Sequence, residues 1–291
     1  MLASFDIVML KSLNIGCGQR FNPTWTNLNF NSTHPSVISH DLKQGIPFPD
    51  SSFDVVYHSH VLEHFCKAEG IQLLEECYRV LRPQGVVRIA VPDLEQIVQS
   101  YFLSLNQALS SNHQAVDNYN WILLELFDQM VRNQSGGEMA VYLRQSHIPN
   151  EAFVIERLGI EAKNLIDSGC QLQNSKQTDI PWLKRIFAPF YRFLRYGNYR
   201  YEILIKKLLT GTDYHALQVG RFRQSGEIHQ WMYDRFSLKR LLEQSGFTDV
   251  IQRTATESYV PHWASFNLDT EPDGSIYKPD SLFMEAIKPS T

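Results

Sequence analysis

Residues 53–93 read FDVVYHSHVLEHFCKAEGIQLLEECYRVLRPQGVVRIAVPD, and their rhythm decides the fold class. Phe53, Val55, Val56 and Tyr57 are β-formers with only Asp54 among them, which predicts a strand. From residue 66 or 67 to 81, Ile71, Leu74, Cys77, Tyr78 and Leu81 recur at helical spacing and define one apolar face. Arg82-Pro83-Gln84-Gly85 stops that helix. Residues 86–91 form a second strand, apolar except for Arg88, that ends at Pro92-Asp93. Two strands joined by a helix predict parallel neighbours in a sheet covered on both faces.

The same reading extends outward. Upstream, Leu13-Asn14-Ile15 runs as a strand into the turn Gly16-Cys17-Gly18, and residues 26–30 and 37–40 are short strand candidates. Downstream, residues 236–245 read as a helix with Leu238, Leu241 and Leu242 on one face and Gly246 as its stop. Strands are then expected at 248–253 and 281–287. Between these halves, residues 96–228 show neither strand–helix alternation nor an internal period. The expected organisation is an α/β core made of residues 1–95 and 229–291, with 96–228 as one large helical insertion. Insertions of that size usually sit over the carboxyl ends of the strands, where ligands bind.

Composition excludes several classes. The chain has 291 residues, 43% hydrophobic and 20% charged, which excludes a disordered or low-complexity protein. Net charge is −4 from 27 basic and 31 acidic residues, so no global basic surplus points to nucleic acid. No apolar run approaches the roughly 18–20 residues of a membrane span. The opening MLASFDIVMLKSLNIGCG carries Asp6 in its apolar stretch and no basic cluster before it, unlike a secretory signal. Cys17, Cys66, Cys77 and Cys170 lack close pairing and read as free thiols of a reducing compartment. A cytoplasmic location is the expectation.

One stretch departs from this average. Residues 184–207 hold seven basic residues against the single acid Glu202, interleaved with aromatics such as Phe190, Tyr191, Tyr196 and Tyr199. That mixture suits peripheral contact with the anionic inner face of a membrane, an anionic substrate, or single-stranded nucleic acid. It equally suits helices whose aromatics pack inward while the cations snorkel.

The glycine turn invites a nucleotide, because Gly16-x-Gly18 after a strand lets backbone approach a ligand closely. A dinucleotide fingerprint fits poorly. Phe21 takes the place of the third glycine, and Pro23 and the short run to Asn29 leave almost no room for a crossover helix.

Another pattern fits better. In order, the chain reads LNIGCGQ (13–19), WTNLNF (25–30), HDLKQGIPFPDSSFDVVYHSHVLEH (40–64), YRVLRPQG (78–85) and VRIAVPD (87–93). This ordered set resembles the class I S-adenosylmethionine-dependent methyltransferases, specifically the small branch with GCG, hDL, VLEH, RVLxPxG and VPD elements. HQWMYDRFSLKRLLEQSGF (229–247) and SLFMEAIK (281–288) resemble that branch's closing helix and strand. The resemblance implies a Rossmann-like, seven-stranded core, S-adenosyl-L-methionine as cofactor, and an insertion forming the acceptor site or lid. It implies that Gly16, Cys17 and Gly18 wrap the methionine part of the cofactor. Asp41 and Leu42 would meet the adenine, and Ser59 and His60 would lie along the cofactor. The family usually has an acid where Asn29 stands; an amide can accept one ribose hydrogen bond and donate another, without the charge.

Histidines crowd the segment that follows. His58, His60 and His64 invite a metal, but HxHxDH would need Asp at position 62, where Leu stands, and strand alternation would part neighbouring side chains. No metal is expected. Transfer to a hydroxyl benefits from a base titrating near neutrality, and His60, His64 and His229 are the candidates. The expected activity is O-methylation of a glycan or a small specialised metabolite, a class suggested by the resemblance. The alternatives are a catalytically silent binding protein of the same fold, favoured by Asn29, and a nucleic-acid methyltransferase. The latter lacks its NPPY-type tetrad, since the place after the fourth strand reads HSHV.

Overall fold

The computed structural model describes residues 10–32, 34–110, 113–175 and 211–290. The basic and aromatic segment 184–207 lies outside the described residues. Strands β1 (Ser12–Ile15), β2 (Thr26–Asn29), β3 (Val37–Ser39), β4 (Phe53–Ser59), β5 (Leu81–Pro92), β6 (Thr248–Arg253) and β7 (Ser281–Ile287) form one sheet. Its order is β3-β2-β1-β4-β5-β7-β6. β1 to β5 run parallel, whereas β7 pairs antiparallel with both β5 and β6. The switch point between β1 and β4 opens the carboxyl edge there, the usual place for a ligand in such sheets.

The strand–helix–strand reading of residues 53–93 corresponds to β4, α1 (Lys67–Val80) and β5. Two details differ. β5 starts at Leu81, ahead of the breaker: Phe53 pairs with Leu81 and Val55 with Val86, so 82–85 bulge out within the strand. Gln84 there takes φ +66. On α1 the buried positions are Leu73, Leu74, Cys77 and Val80, and Ile71 turns outward. The helix begins with a capping box in which the Glu69 carboxylate accepts from the Cys66 N–H. No helix joins β1 to β2; turns alone span residues 16–25.

One face of the sheet packs on α1 and on α8 (Arg235–Gln244), with Leu74, Cys77, Leu238 and Leu242 against Val56, Ile89 and Met284. The opposite face is covered by irregular chain: Trp25, Val260, Trp263 and Leu268 close over Val55 and Tyr57. A buried cation pins that cover. Arg88, fully buried on β5, donates to Asp269 (2.9 Å) and Glu285 (2.8 Å), and to the carbonyls of Glu257 and Thr254. Trp263 Nε1–H donates to the same Asp269 carboxylate at 3.0 Å, and Arg253 approaches Glu285 at 3.3 Å, balancing the charges.

Between β5 and β6 lie helices α2 (Leu94–Leu109), α3 (His113–Val131), α4 (Gly137–Leu143), α5 (Glu151–Leu158), α6 (Ile160–Ser175) and α7 (Tyr214–Arg223). They have a core of their own, built on Ile97, Trp121, Ile122, Met139, Leu143 and Val154. Asp93 caps α2 at the end of β5 by accepting from the Glu95 and Gln96 N–H groups. That cap sends the chain from the sheet edge straight into the helices above it.

Candidate active site

Two cavities meet above the carboxyl edge of the sheet. The first, about 520 Å³, lies against the glycine turn after β1 and the end of β4. Gly16, Cys17, Gly18, Ser59 and His60 line it, so the structure brings these five expected residues together. Gly16 takes φ +64, and a Cβ there would meet Val61 Cγ2 at 2.4 Å, so only glycine fits. Gly18 has φ +54 with nothing within 4 Å of its Cβ position. The Cys17 N–H donates to the Leu28 carbonyl at 3.0 Å, and burial pushes its thiol up to about 11, leaving it a neutral wall. Arg20 braces the far side: it donates to the Leu268 carbonyl (2.8 Å) and Glu271 (2.8 Å) and stacks 3.9 Å over Tyr277.

Asn29, Asp41 and Leu42 do not line this cavity. Asn29 ends β2 and donates its amide to the Asn31 carbonyl at 2.7 Å. Asp41 caps the short turn Leu42–Gln44, its Oδ1 accepting from the Lys43 N–H at 3.0 Å. Both stand at the same carboxyl edge as the glycine turn, each engaged in a local bond.

The glycine turn predicts unequal tolerance. Gly16→Ala is expected to cost about 1–2 kcal/mol for the left-handed backbone and about 1–3 kcal/mol more for the clash with Val61. Gly18→Ala should cost only the first amount. Urea unfolding of the two variants checks this; equal losses would contradict the packing argument.

The second cavity, about 400 Å³, is walled by the inserted helices on one side and by His60, His64, His229, Lys278 and Asp280 on the other. His60 and Lys278 line both cavities and mark where they join. Lys278 Nζ lies 2.8 Å from Glu161 of α6, and the buried Arg157 of α5 donates to Glu125 of α3. Asp280 is buried, which pushes its carboxyl above the usual carboxylate range. The lining thus sets charges of both signs beside an apolar wall that includes Ile97, Met139 and Leu143.

The three candidate histidines converge at this junction. Strand alternation stops at Ser59, because His60 takes φ +54 and Leu62–His64 coils into a short 3-10 turn. The expectation that alternation parts these side chains is therefore corrected: the chain folds back on itself. Glu63, to which the sequence reading assigned no role, is fully buried, and neither of its oxygens receives a well-formed hydrogen bond. His60 Nδ1 lies 3.2 Å from Glu63 Oε1, and His60 Nε2 lies 2.9 Å from Ser281 Oγ. Burial pushes the Glu63 carboxyl up, but the approach of His60, together with His229 and His64, outweighs it and holds the group at about 2. His64 Nδ1 lies 3.1 Å from the Ile228 carbonyl, an acceptor only, so Nδ1 carries the proton.

His229 arrives from the other end of the chain. The Gln230 and Trp231 N–H groups donate to the Glu63 carbonyl at 2.7 and 3.2 Å, and the His229 N–H donates to the Gln129 carbonyl at 2.9 Å. The His64 and His229 rings meet edge to face, 4.8 Å between centroids. Burial lowers His229 to about 3, so it is neutral at ordinary pH. Behind them His58 is fully buried, lowered to about 4 by burial, and points neither nitrogen at a partner.

Residues 22–89 match the family model described as a methyltransferase domain. That stretch supplies β2 to α1 and most of β5, and the whole sheet has the order β3-β2-β1-β4-β5-β7-β6 with antiparallel β7. The chain carries a class I methyltransferase fold. A Mycolicibacterium smegmatis protein described as a "probable S-adenosylmethionine-dependent methyltransferase" is 41% identical over 61 residues, 21% of this chain and 23% of that protein. The match therefore spans under a quarter of that relative's length. Among solved structures, a SAM-dependent methyltransferase from Archaeoglobus fulgidus is 13% identical, with 97% of this chain and 87% of that chain covered at a TM-score of 0.36. The CurJ carbon methyltransferase is 11% identical, with 97% and 49% covered, also at 0.36. These likenesses are distant, and the methyltransferase fold rests on the strand order. Among the described residues no helix is long and apolar enough to cross a membrane.

Proposed function

We propose that this chain transfers a methyl group from S-adenosylmethionine to a hydroxyl oxygen of a polar acceptor, either a glycan or a small specialised metabolite. The observation that carries this reading is the pair of cavities joined at His60 and Lys278. Methyl transfer needs two sites that meet at one point, so that acceptor and methyl group align.

The first cavity fits the cofactor, since the left-handed glycines Gly16 and Gly18 carry the turn along its wall without a side chain, and Gly18 opens onto free space. Gly16, Cys17 and Gly18 would hold its methionine part, and Ser59 and His60 would flank it. Asn29 is assigned to the ribose and Asp41 with Leu42 to the adenine; the capping bond of Asp41 uses Oδ1 alone. The bound cofactor supplies a methyl group already activated on a sulfonium. On the acceptor side His60 is assigned as base. The charge of Glu63, whose Oε1 lies 3.2 Å from Nδ1, favours the proton on that nitrogen, which leaves Nε2, now beside the Ser281 hydroxyl, able to accept one. The mixed charges of the second cavity suit an acceptor rich in hydroxyls.

Purified full-length chain incubated with methyl-labelled S-adenosylmethionine and fractionated cell extract tests this. Label is expected in a glycan or small-molecule fraction. Label confined to nucleic acid, or absent from every fraction, would overturn the reading.

A further inference from the structure

We propose that Glu63, His64 and His229 bind a divalent first-row transition-metal ion of the Zn²⁺ type, on the acceptor-side wall beneath His60. Among the described residues these three offer ligand atoms that all lie within 4.8 Å of one another. One ion with bonds of about 2 Å sets tetrahedral donors roughly 3.3 Å apart, so small side-chain rotations close the set.

Two independent observations point to a ligand here. The first is the carboxylate: Glu63 is fully buried and neither oxygen has a hydrogen-bond partner. Such a group is costly to bury and demands a partner. With two oxygens it can bind an ion and still face His60, whose Nδ1 stands 3.2 Å from Oε1. The second is the orientation of His64. Its Nδ1–H is committed to the Ile228 carbonyl, which leaves Nε2 as the free lone pair. A backbone carbonyl on the other ring nitrogen is the usual way a metal-binding histidine is aimed.

The third donor is brought in by its backbone and packs against the His64 ring. The His229 N–H is tied to the Gln129 carbonyl, and the next two N–H groups are tied to the carbonyl of Glu63 itself. Two imidazoles and one carboxylate form a donor set suited to Zn²⁺ and its neighbours, and three protein ligands leave a coordination position open. His64 and His229 line the second cavity, so that position faces it. The sequence reading set a metal aside because it sought the third ligand among His58, His60 and His64. The structure supplies it from Glu63 and His229. Metal uptake stands apart from methyl transfer; only the ion's task there, holding an acceptor oxygen, rests on the proposed function.

The test uses the full chain, stripped by dialysis against a chelator and titrated with ZnCl₂ by calorimetry. One ion per chain is expected, with affinity lowered at least about 100-fold in His64→Ala and in His229→Ala. Co²⁺ in the same site is expected to show visible d–d bands that both variants lose. If an alanine variant fails to fold by circular dichroism, His64→Gln or His229→Gln replaces it. No Zn²⁺ uptake by the folded wild-type chain would overturn the proposal, as would equal uptake by the His64→Ala/His229→Ala double variant. S-adenosylhomocysteine is titrated into the same samples. Zn²⁺ uptake without its binding supports the metal site while counting against the methyltransferase reading.

Discussion

Changing His60 to asparagine is expected to slow methyl transfer by about 10²–10⁴-fold, the usual contribution of a positioned general base. Cofactor affinity should change little. His60 stands where the two cavities join, held between Glu63 and Ser281. Asparagine keeps a polar side chain there but cannot take up a proton. The left-handed backbone at His60 (φ +54) favours asparagine as a replacement, since it tolerates that region better than most residues. The readout is a split: turnover falls while S-adenosylhomocysteine affinity measured by calorimetry stays within a few-fold. Unchanged turnover would remove His60 as the base. A parallel loss of affinity and turnover would make it a cofactor contact only.

Arg88→Ala should destabilise the chain by about 3–5 kcal/mol, the cost of breaking a buried ion pair from one side. The guanidinium is fully buried on a central strand and bonded to two carboxylates and two backbone carbonyls. Its removal leaves Asp269 without its cation and Glu285 with Arg253 at 3.3 Å, beside the Ser258 hydroxyl and the Tyr259 N–H that also donate to it. Tyr57 and Trp263 also donate to Asp269, so the cover over that face of the sheet loosens with it. The same stretch of chain carries Leu268, Glu271, Tyr277 and Lys278, which wall the first cavity. Cofactor affinity is therefore expected to fall along with stability. Urea unfolding followed by tryptophan fluorescence gives the first number. A loss under about 1 kcal/mol, the range of an exposed ion pair, would contradict the account.

β4 and the later part of β5 are legible because they are buried on both faces and read as runs rich in apolar residues. Residues 86–91 show this, with Arg88 as the exception. No periodicity could show what Arg88 is for, because its partners Asp269 and Glu285 lie 181 and 197 residues further on. Locality also explains the early start of β5. Pro83 and Gly85 are breakers by composition, yet the strand carries them in a bulge and Leu81 still pairs with Phe53.

At the site, residues that share one turn were readable: Gly16, Cys17 and Gly18 lie together as their spacing implies. Glu63 was not, because the alternating pattern of β4 reverses at His60 through a backbone angle that histidine rarely adopts. A cluster made by such a turn and closed by His229 leaves no signal in a window of neighbours. Asn29, Asp41 and Leu42 come from the resemblance and not from spacing; in the structure Asn29 and Asp41 stand at the carboxyl edge and each also makes one bond to nearby backbone.

The central claim is that the cavity over the glycine turn holds S-adenosylmethionine. Calorimetric titration of the full chain with S-adenosylhomocysteine, alongside NADH, tests it most directly. One S-adenosylhomocysteine per chain, with no NADH binding, is the predicted result. NADH binding in the absence of S-adenosylhomocysteine binding would contradict it.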